Sequence, residues 1–250
     1  RQLRNAAEVL RTVPGVSVQQ AGGVGTQTSV FVRGSNSNHV LVLIDGVNVS
    51  DPSSGNGAVD FGNFLTENLD RIEVVRGPMS TMYGSQAMGG VINMVTKAGK
   101  GPMNGAAFTE LGTRLTSNSG AYVRGSVGRF NYNLTAAGTF SPNDTPVPAR
   151  FTPNGGYVDI DPYRNITLAA RLGFEINDNT QFNWYGRYID SKVNYDQVGQ
   201  EDPNANGYSS QFYTRGELEG SYFDGRWKPV VGVNYSTITR HDLDYASVQN

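Results

Sequence analysis

From about Gly105 onward the sequence alternates between two kinds of residue, and that alternation restricts the fold more than anything else in the chain. In YNLTAAGTFS, Tyr132, Leu134, Ala136, Gly138 and Phe140 fall on one side, with Asn133, Thr135, Ala137 and Thr139 on the other. NITLAARLGFEI is cleaner: Ile166, Leu168, Ala170, Leu172, Phe174 and Ile176 oppose Thr167, Arg171 and Glu175. TQFNWYGRY, QFYTRGELEGSYF and RWKPVVGVNYSTI continue the pattern. A period of two puts successive side chains on opposite faces of a strand, so these segments are β-strands with one apolar face. About seven such segments are present. Each has the ~9–11 residues that a tilted strand needs to cross a bilayer.

A soluble antiparallel sandwich also alternates. Two features favour a membrane barrel. The polar face carries Arg124, Arg171, Glu175, Arg187, Arg215 and Glu217, which suits a wet lumen. The connections also alternate, short near FEINDNTQF and DGRW, long at 141–164 and 191–207. Outer-membrane barrels pair short periplasmic turns with long outer loops in this way. The longest apolar run, VLVLI at 40–44, is far too short for a membrane helix, which leaves a barrel open.

The first hundred residues follow other rules and read as mixed α/β. RNAAEVLRTVPGV signals a helix: Asn5 and Glu8 resemble a capping box, and Val9, Leu10 and Val13 supply an apolar face. Pro14-Gly15 ends it. SVFVRG and HVLVLIDG read as short strands. The loops QQAGGVGTQT (19–28) and GVNVSDPSSGNGAVD (46–60) are expected to contribute nothing to a core. RIEVVRGPMSTMYGSQAMGGVINMVTK (71–97) has glycines at 77, 84, 89 and 90, a spacing foreign to a dinucleotide fingerprint. Pro78 stops its first strand, and Gly89-Gly90 lead into VINMVT, so the unit is strand, short helical turn, strand.

Composition narrows the function. A net charge of -2 lacks the strongly basic face that nucleic acid requires, so no nucleic-acid partner is expected. With no cysteine there is neither disulfide nor thiolate site. His39 and His241 are the only histidines, with no Ser or carboxylate at catalytic spacing, so the chain reads as a non-enzyme. His39 is expected to cap a strand start and His241 to sit at a barrel end. A passive porin or adhesive barrel leaves the first hundred residues unexplained, and a soluble β-rich binding module is the remaining alternative. No signal peptide is visible, and the chain opens inside a helical pattern, which reads as a mature or trimmed form.

LRTVPGV, VFVRG, VLVLIDGV, RIEVVRGP, YGSQAMGGVINMVTK and the barrel-like tail together resemble a TonB-dependent outer-membrane transporter. The motifs cover nearly all of the first hundred residues in the family's order and spacing. The resemblance implies a plug domain over 1–98 inside a 22-stranded barrel, with 99–250 forming its first strands, about seven. It places the protein in the bacterial outer membrane, surrounded by lipid. It also implies energising through TonB and its inner-membrane partners. The glycines of 71–97 are then expected to let plug backbone pack tightly inside a barrel. Nothing in the chain matches the family's TonB-contacting segment. Seven strands would leave two open sheet edges in lipid, at several kcal/mol per unsatisfied backbone group. Even ~5 such groups per edge exceed a typical stability of ~5–15 kcal/mol, so the chain is expected to be part of a longer protein.

Within the family, RGSNSNHVLVLIDGVNV is more similar to cobalamin transporters than to siderophore receptors. A ferric siderophore or haem receptor is the alternative, with haem disfavoured because neither histidine falls in a long outer loop. The resemblance makes the plug loops around 19–27 and 48–58 outward-facing. For a large, neutral, amide-rich solute, backbone amides with Gln20, Asn48, Ser50, Ser53, Ser54 and Asn56 are the implied contacts. Arg33 and Arg76, in the two RG motifs, are implied to face barrel glutamates beyond residue 250. Cobalamin transporters carry aspartates in loops matching VDIDP and NYDQ. The resemblance therefore implies a calcium site from Asp144, Asp159, Asp161, Asp196 and Asp202, with Asp202 departing from the spacing. Calcium takes about 6–8 oxygen ligands, which clustered carboxylates and carbonyls can supply. A merely solvated acidic loop is the alternative.

Overall fold

A computed structural model describes residues 3–142, 161–195 and 205–243. The N-terminal part opens with helix α1 (Ala6–Leu10). Asn5 caps it by accepting from the Ala7 N–H at 2.7 Å. Glu8 reaches back as in a capping box, but to the Arg4 N–H (3.2 Å), one residue earlier than the motif predicts. Leu10 is buried as expected, together with Ala6 and Ala7.

Strands β1 (Val16–Gln20) and β2 (Thr28–Val32) form an antiparallel pair around the loop 21–27. A four-stranded sheet follows, in the order β4 (Val47–Asn48), β3 (Val40–Ile44), β6 (Gly90–Thr96), β5 (Leu69–Arg76). Helix α2 (Ser80–Tyr83) joins β5 to β6, which is the strand, helical turn, strand unit read from sequence. Gly89 and Gly90 pack the plug against itself rather than against the wall, while Gly84 borders open space. Gly90 sits at φ +157, where a Cβ would lie 2.5 Å from the Val75 carbonyl oxygen.

The loop 46–60 departs from expectation by joining the core. Asp45 and Gly46, both at positive φ (47° and 79°), turn β3 tightly onto β4. The turn swings Val47 and Val49 inward, and with Val59 they join Leu10, Val30, Val42, Phe61, Phe64, Ile92 and Met94 in the core. Val47 and Val49 alternate with exposed Asn48, a run too short to read as a strand, and Val59 stands between Ala58 and Asp60 with no period. A side chain of Phe64's size, fully buried, contributes about 1.5–3 kcal/mol.

From Asn104 onward seven strands form one antiparallel meander. They are β7 (Asn104–Leu111), β8 (Ser117–Val127), β9 (Phe130–Ser141), β10 (Tyr163–Asn177), β11 (Thr180–Asn194), β12 (Asn206–Gly220) and β13 (Val230–Leu243). Several run to 15 residues, longer than crossing a bilayer demands.

The two faces of this sheet are inverted relative to a soluble protein. Leu134, Leu168 and Phe174 are 44–48% exposed, while Asn133, Thr167 and Asn183 are 1–4% exposed. A sandwich would bury the leucines and wet the asparagines. The outward apolar face fits lipid, and the inward polar face packs on the N-terminal part. Among the described residues no helix is long and apolar enough to cross a membrane, so crossing falls to the strands.

Candidate functional site

The inward wall face holds the plug by donating to its backbone. Arg171 Nη1 donates to the Thr96 carbonyl (2.7 Å), Arg187 Nη2 to that of Leu65 (2.9 Å) and Arg215 Nη1 to that of Gly46 (3.3 Å). Asn133 Nδ2 donates to the Lys97 carbonyl (2.6 Å), and Asn165 Nδ2 to that of Asn63 (3.1 Å). Short plug strands leave many carbonyls unpaired, and buried carbonyls need donors. The charged residues expected to line a wet lumen are therefore divided. Arg171, Arg187 and Arg215 clasp the plug, and Glu217 is buried against Arg215 (2.6 Å) and the Tyr185 hydroxyl (2.8 Å). Arg124 and Glu175 do face an open space, a cavity of about 630 Å³ at the short-turn end.

The apolar core crosses the same boundary. Ile189 and Tyr213 of the wall belong to the plug's hydrophobic cluster, with the Tyr213 and Phe64 rings 6.5 Å apart. Burial pushes the carboxyl pKa values of Asp45, Asp60 and Glu67 above the ordinary range. Hydrogen bonds and nearby arginines oppose this only in part.

At the other end, where the long connections leave the strands, a cavity of about 360 Å³ lies between plug loop 21–27 and strands β11 to β13. Gln27, Asp60, Ser191, Ser209, Arg240 and Asp242 give it convergent polar groups. By the barrel rule this end faces outward. Tyr163 packs against two of the cavity's lining residues, Gly25 and Asn63. Its ring occupies the place a side chain at Gly25 would need, and its hydroxyl meets Asn63 Oδ1 at 3.1 Å. Gly25 is also at φ +85, so both its conformation and its surroundings require glycine.

None of the six residues implied as solute contacts lines this cavity. Gln20 braces the loop below it, donating to the Gly23 carbonyl (2.6 Å) and accepting from Arg11 (2.9 Å). Asn48 binds Gln86 (2.8 Å) and accepts from the Ser50 N–H (2.9 Å). Ser53 bonds to Asp51, and Ser54 to Asn56, which also accepts from the Ala58 N–H. These side chains fold the loop that carries them, while Asn48, Ser53 and Asn56 stay exposed at its surface.

Arg33 and Arg76 are exposed; Arg76 donates to the Pro14 carbonyl (2.7 Å), and Arg33 has a positive φ of 50°. Of the five aspartates, Asp161 is buried just ahead of β10. Asp144, Asp159, Asp196 and Asp202 lie outside the described residues. Among the described residues, no three His, Cys, Asp or Glu side chains could hold a metal ion. His39 directly precedes β3, and His241 lies near the outer end of β13.

Sequence reasoning missed Ser191, Ser209 and Arg240. Strand parity marks all three as inward, but only pairing across strands shows that they meet the plug apex.

A polar-faced sheet closing on a small α/β plug defines a class, and comparison with known proteins agrees. Residues 1–91 match the TonB-dependent Receptor Plug Domain, which assigns the N-terminal part of the chain to that domain family. The chain is similar to the Vitamin B12 transporter BtuB of Photobacterium profundum. Identity there is 32% over 216 residues, covering 84% of this chain and 34% of the relative. Against the Vitamin B12 transporter BtuB of Vibrio vulnificus it is 29% over 260 aligned positions, covering 99% and 38%. The chain thus spans about a third of the length of these curated relatives. The ferripyoverdine receptor of Pseudomonas aeruginosa shares its fold, with a TM-score of 0.75 at 18% identity over 96% of this chain and 32% of that one. The unliganded ferric citrate transporter FecA gives 0.74 at 20%, over 96% and 38%.

Proposed function

We propose that this chain is the plug and first wall strands of an energy-coupled receptor that imports cobalamin. The observation that carries this reading is the likeness to two Vitamin B12 transporters, which runs from the plug into the wall. The outer cavity supports it. A large amide-rich solute needs donors and acceptors more than a net charge, and the cavity offers Gln27, Ser191 and Ser209 with a mixed set of charges. At about 360 Å³ it would take one edge of such a solute, with Asn48, Ser50, Ser53, Ser54, Asn56 and the loop held by Gln20 meeting the rest.

A plug gripped by three wall arginines blocks passive passage, so uptake would draw on TonB and its inner-membrane energising proteins. In the same reading, Arg33 and Arg76 pair with wall glutamates beyond residue 250. Calcium held by Asp144, Asp159, Asp161, Asp196 and Asp202 orders the outer loops; the buried carboxylate of Asp161 is the described residue that suits it. Calorimetric titration of the full-length receptor with cyanocobalamin, a ferric siderophore and haemin tests the solute. Tight binding of cyanocobalamin alone is expected. Tight binding of an iron compound without cobalamin overturns the assignment.

A further inference from the structure

We propose that Arg240, on the wall, is the positioning residue that holds both outer plug loops in register for solute. The inference rests on the outer cavity being the solute's landing site. Arg240 Nη2 lies 3.4 Å from Asp51 Oδ2 and 3.6 Å from Asp60 Oδ2. Each aspartate divides its oxygens between two tasks. Asp51 Oδ1 accepts from the Ser53 N–H (2.9 Å) and hydroxyl (2.6 Å), which sets the tip of loop 46–60. Asp60 Oδ1 accepts from the N–H groups of Thr28 and Gly62, both at 2.9 Å, which closes loop 21–27. The second oxygen of each turns to the same guanidinium. One wall side chain is therefore the shared counter-charge of loop 46–60 and of the carboxylate that closes loop 21–27 beside the cavity.

The electrostatics make this hold conditional. Asp51 is only 4% exposed, and the Asp60 side chain is 12% exposed. One cation offsets only half the charge of two carboxylates, and without it they repel undamped across a poorly solvated gap. Moving a loop out to water is the way to relieve that repulsion. Arg240 itself is 22% exposed and lines the cavity. A solute's carbonyl oxygens can take guanidinium N–H groups that the aspartates leave, since arginine presents five donors in a fixed fork. Solute contact then strengthens the tie, and loop order and affinity rise together.

The chain has no cysteine, so a single introduced one carries a nitroxide cleanly within it. Gly55→Cys reports loop 46–60 at an open position with nothing within 4 Å of its Cβ, and Val24→Cys reports loop 21–27 at an exposed one. The experiment measures label mobility and cyanocobalamin affinity in the full-length receptor, checking barrel integrity by heat-modifiable migration. Arg240→Gln is expected to mobilise both labels and weaken binding about tenfold, while Arg240→Lys keeps most of the order. Asp51→Asn, which leaves the wall intact, should mobilise Gly55→Cys and spare Val24→Cys, because Asp60 still holds Arg240. Labels as ordered in Arg240→Gln as in the parent overturn the proposal, as does an Asp51→Asn variant in which neither label moves. If the labels respond as expected but the parent binds no cyanocobalamin, the positioning role stands and the solute assignment falls.

Discussion

Arg187 shows what a receptor wall demands of a single side chain. It is 4% exposed; Nη2 meets the Leu65 carbonyl, and Nε and Nη1 find no hydrogen-bond partner among the described residues. Asp45 and Glu67 of the plug supply opposite charge nearby. Removing one member of a buried charge set costs about 3–5 kcal/mol, because the others are left uncompensated. Arg187→Met should therefore lower thermal stability despite its similar bulk, and adding Asp45→Asn should recover part of the loss, read from melting of the three variants. Asp45 also gives a pH signature. Burial raises its folded pKa above the unfolded value, against the opposing bonds from Thr96 and the charges of Arg171 and Arg187. The folded state then holds this proton more firmly, so the group's contribution to stability falls as pH rises from the ordinary aspartate range through the raised value. Asp45→Asn should gain on wild type across that window in denaturant titrations at stepped pH. A flat difference contradicts the assignment. Gly25→Ala tests the packing behind the outer cavity: a positive φ and the Tyr163 ring both oppose a methyl group. A loss of about 1–3 kcal/mol is expected from the backbone alone.

Among the elements, the wall strands make a prediction that separates lipid from water. Leu168 points outward between Ala136 and Tyr188 in the register, near the middle of β10. Leu168→Arg should cost about 2–4 kcal/mol in equilibrium folding into bilayers, because the charge then sits at the apolar midplane. On a soluble sheet a 48%-exposed leucine could become arginine almost freely. An unchanged folding midpoint would remove the membrane reading of this face. The plug elements behave differently: α1 has only five residues, too short to stand alone. It persists because Asn5 caps it and the Ala6 N–H bonds to the Phe64 carbonyl at 2.8 Å.

For the whole molecule, the plug and wall share one apolar cluster and a set of wall-to-carbonyl hydrogen bonds. Opening a path therefore means breaking many contacts together. Import is expected to stop when the proton-motive force is collapsed while binding persists. Uptake assays with an uncoupler, beside binding at equilibrium, decide this; accumulation that continues uncoupled would count against energy coupling. The proposed calcium site belongs at this scale too, because the aspartates proposed to hold it come from separate connections in the sequence. Chelation, Asp159→Ala and Asp196→Ala are expected to lower affinity for cyanocobalamin and loosen the outer loops. If none of them changes either quantity, the aspartates are a solvated surface.

The alternation from Tyr132 to Ile238 was legible because strand geometry is local. A period of two assigns every side chain to a face before any partner strand is known. Likewise the turn at Pro78 and the cap at Asn5 depend on a few neighbouring residues, and the motif resemblance pointed to the family from such stretches. What Arg171, Arg187, Arg215 and Arg240 hold was decided only by the tertiary structure. Parity made the first three inward and charged, which fitted a wet lumen as well as a gripped plug. Their partners, the Thr96, Leu65 and Gly46 carbonyls and the Asp51 and Asp60 carboxylates, are remote in sequence. A backbone carbonyl has no side-chain identity, so no spacing in the sequence announces which one a distant arginine will meet. Val47 and Val49 stayed hidden for a related reason: they alternate with exposed Asn48, but the run is too short to announce a strand, and only the Asp45-Gly46 turn shows that their face meets the core.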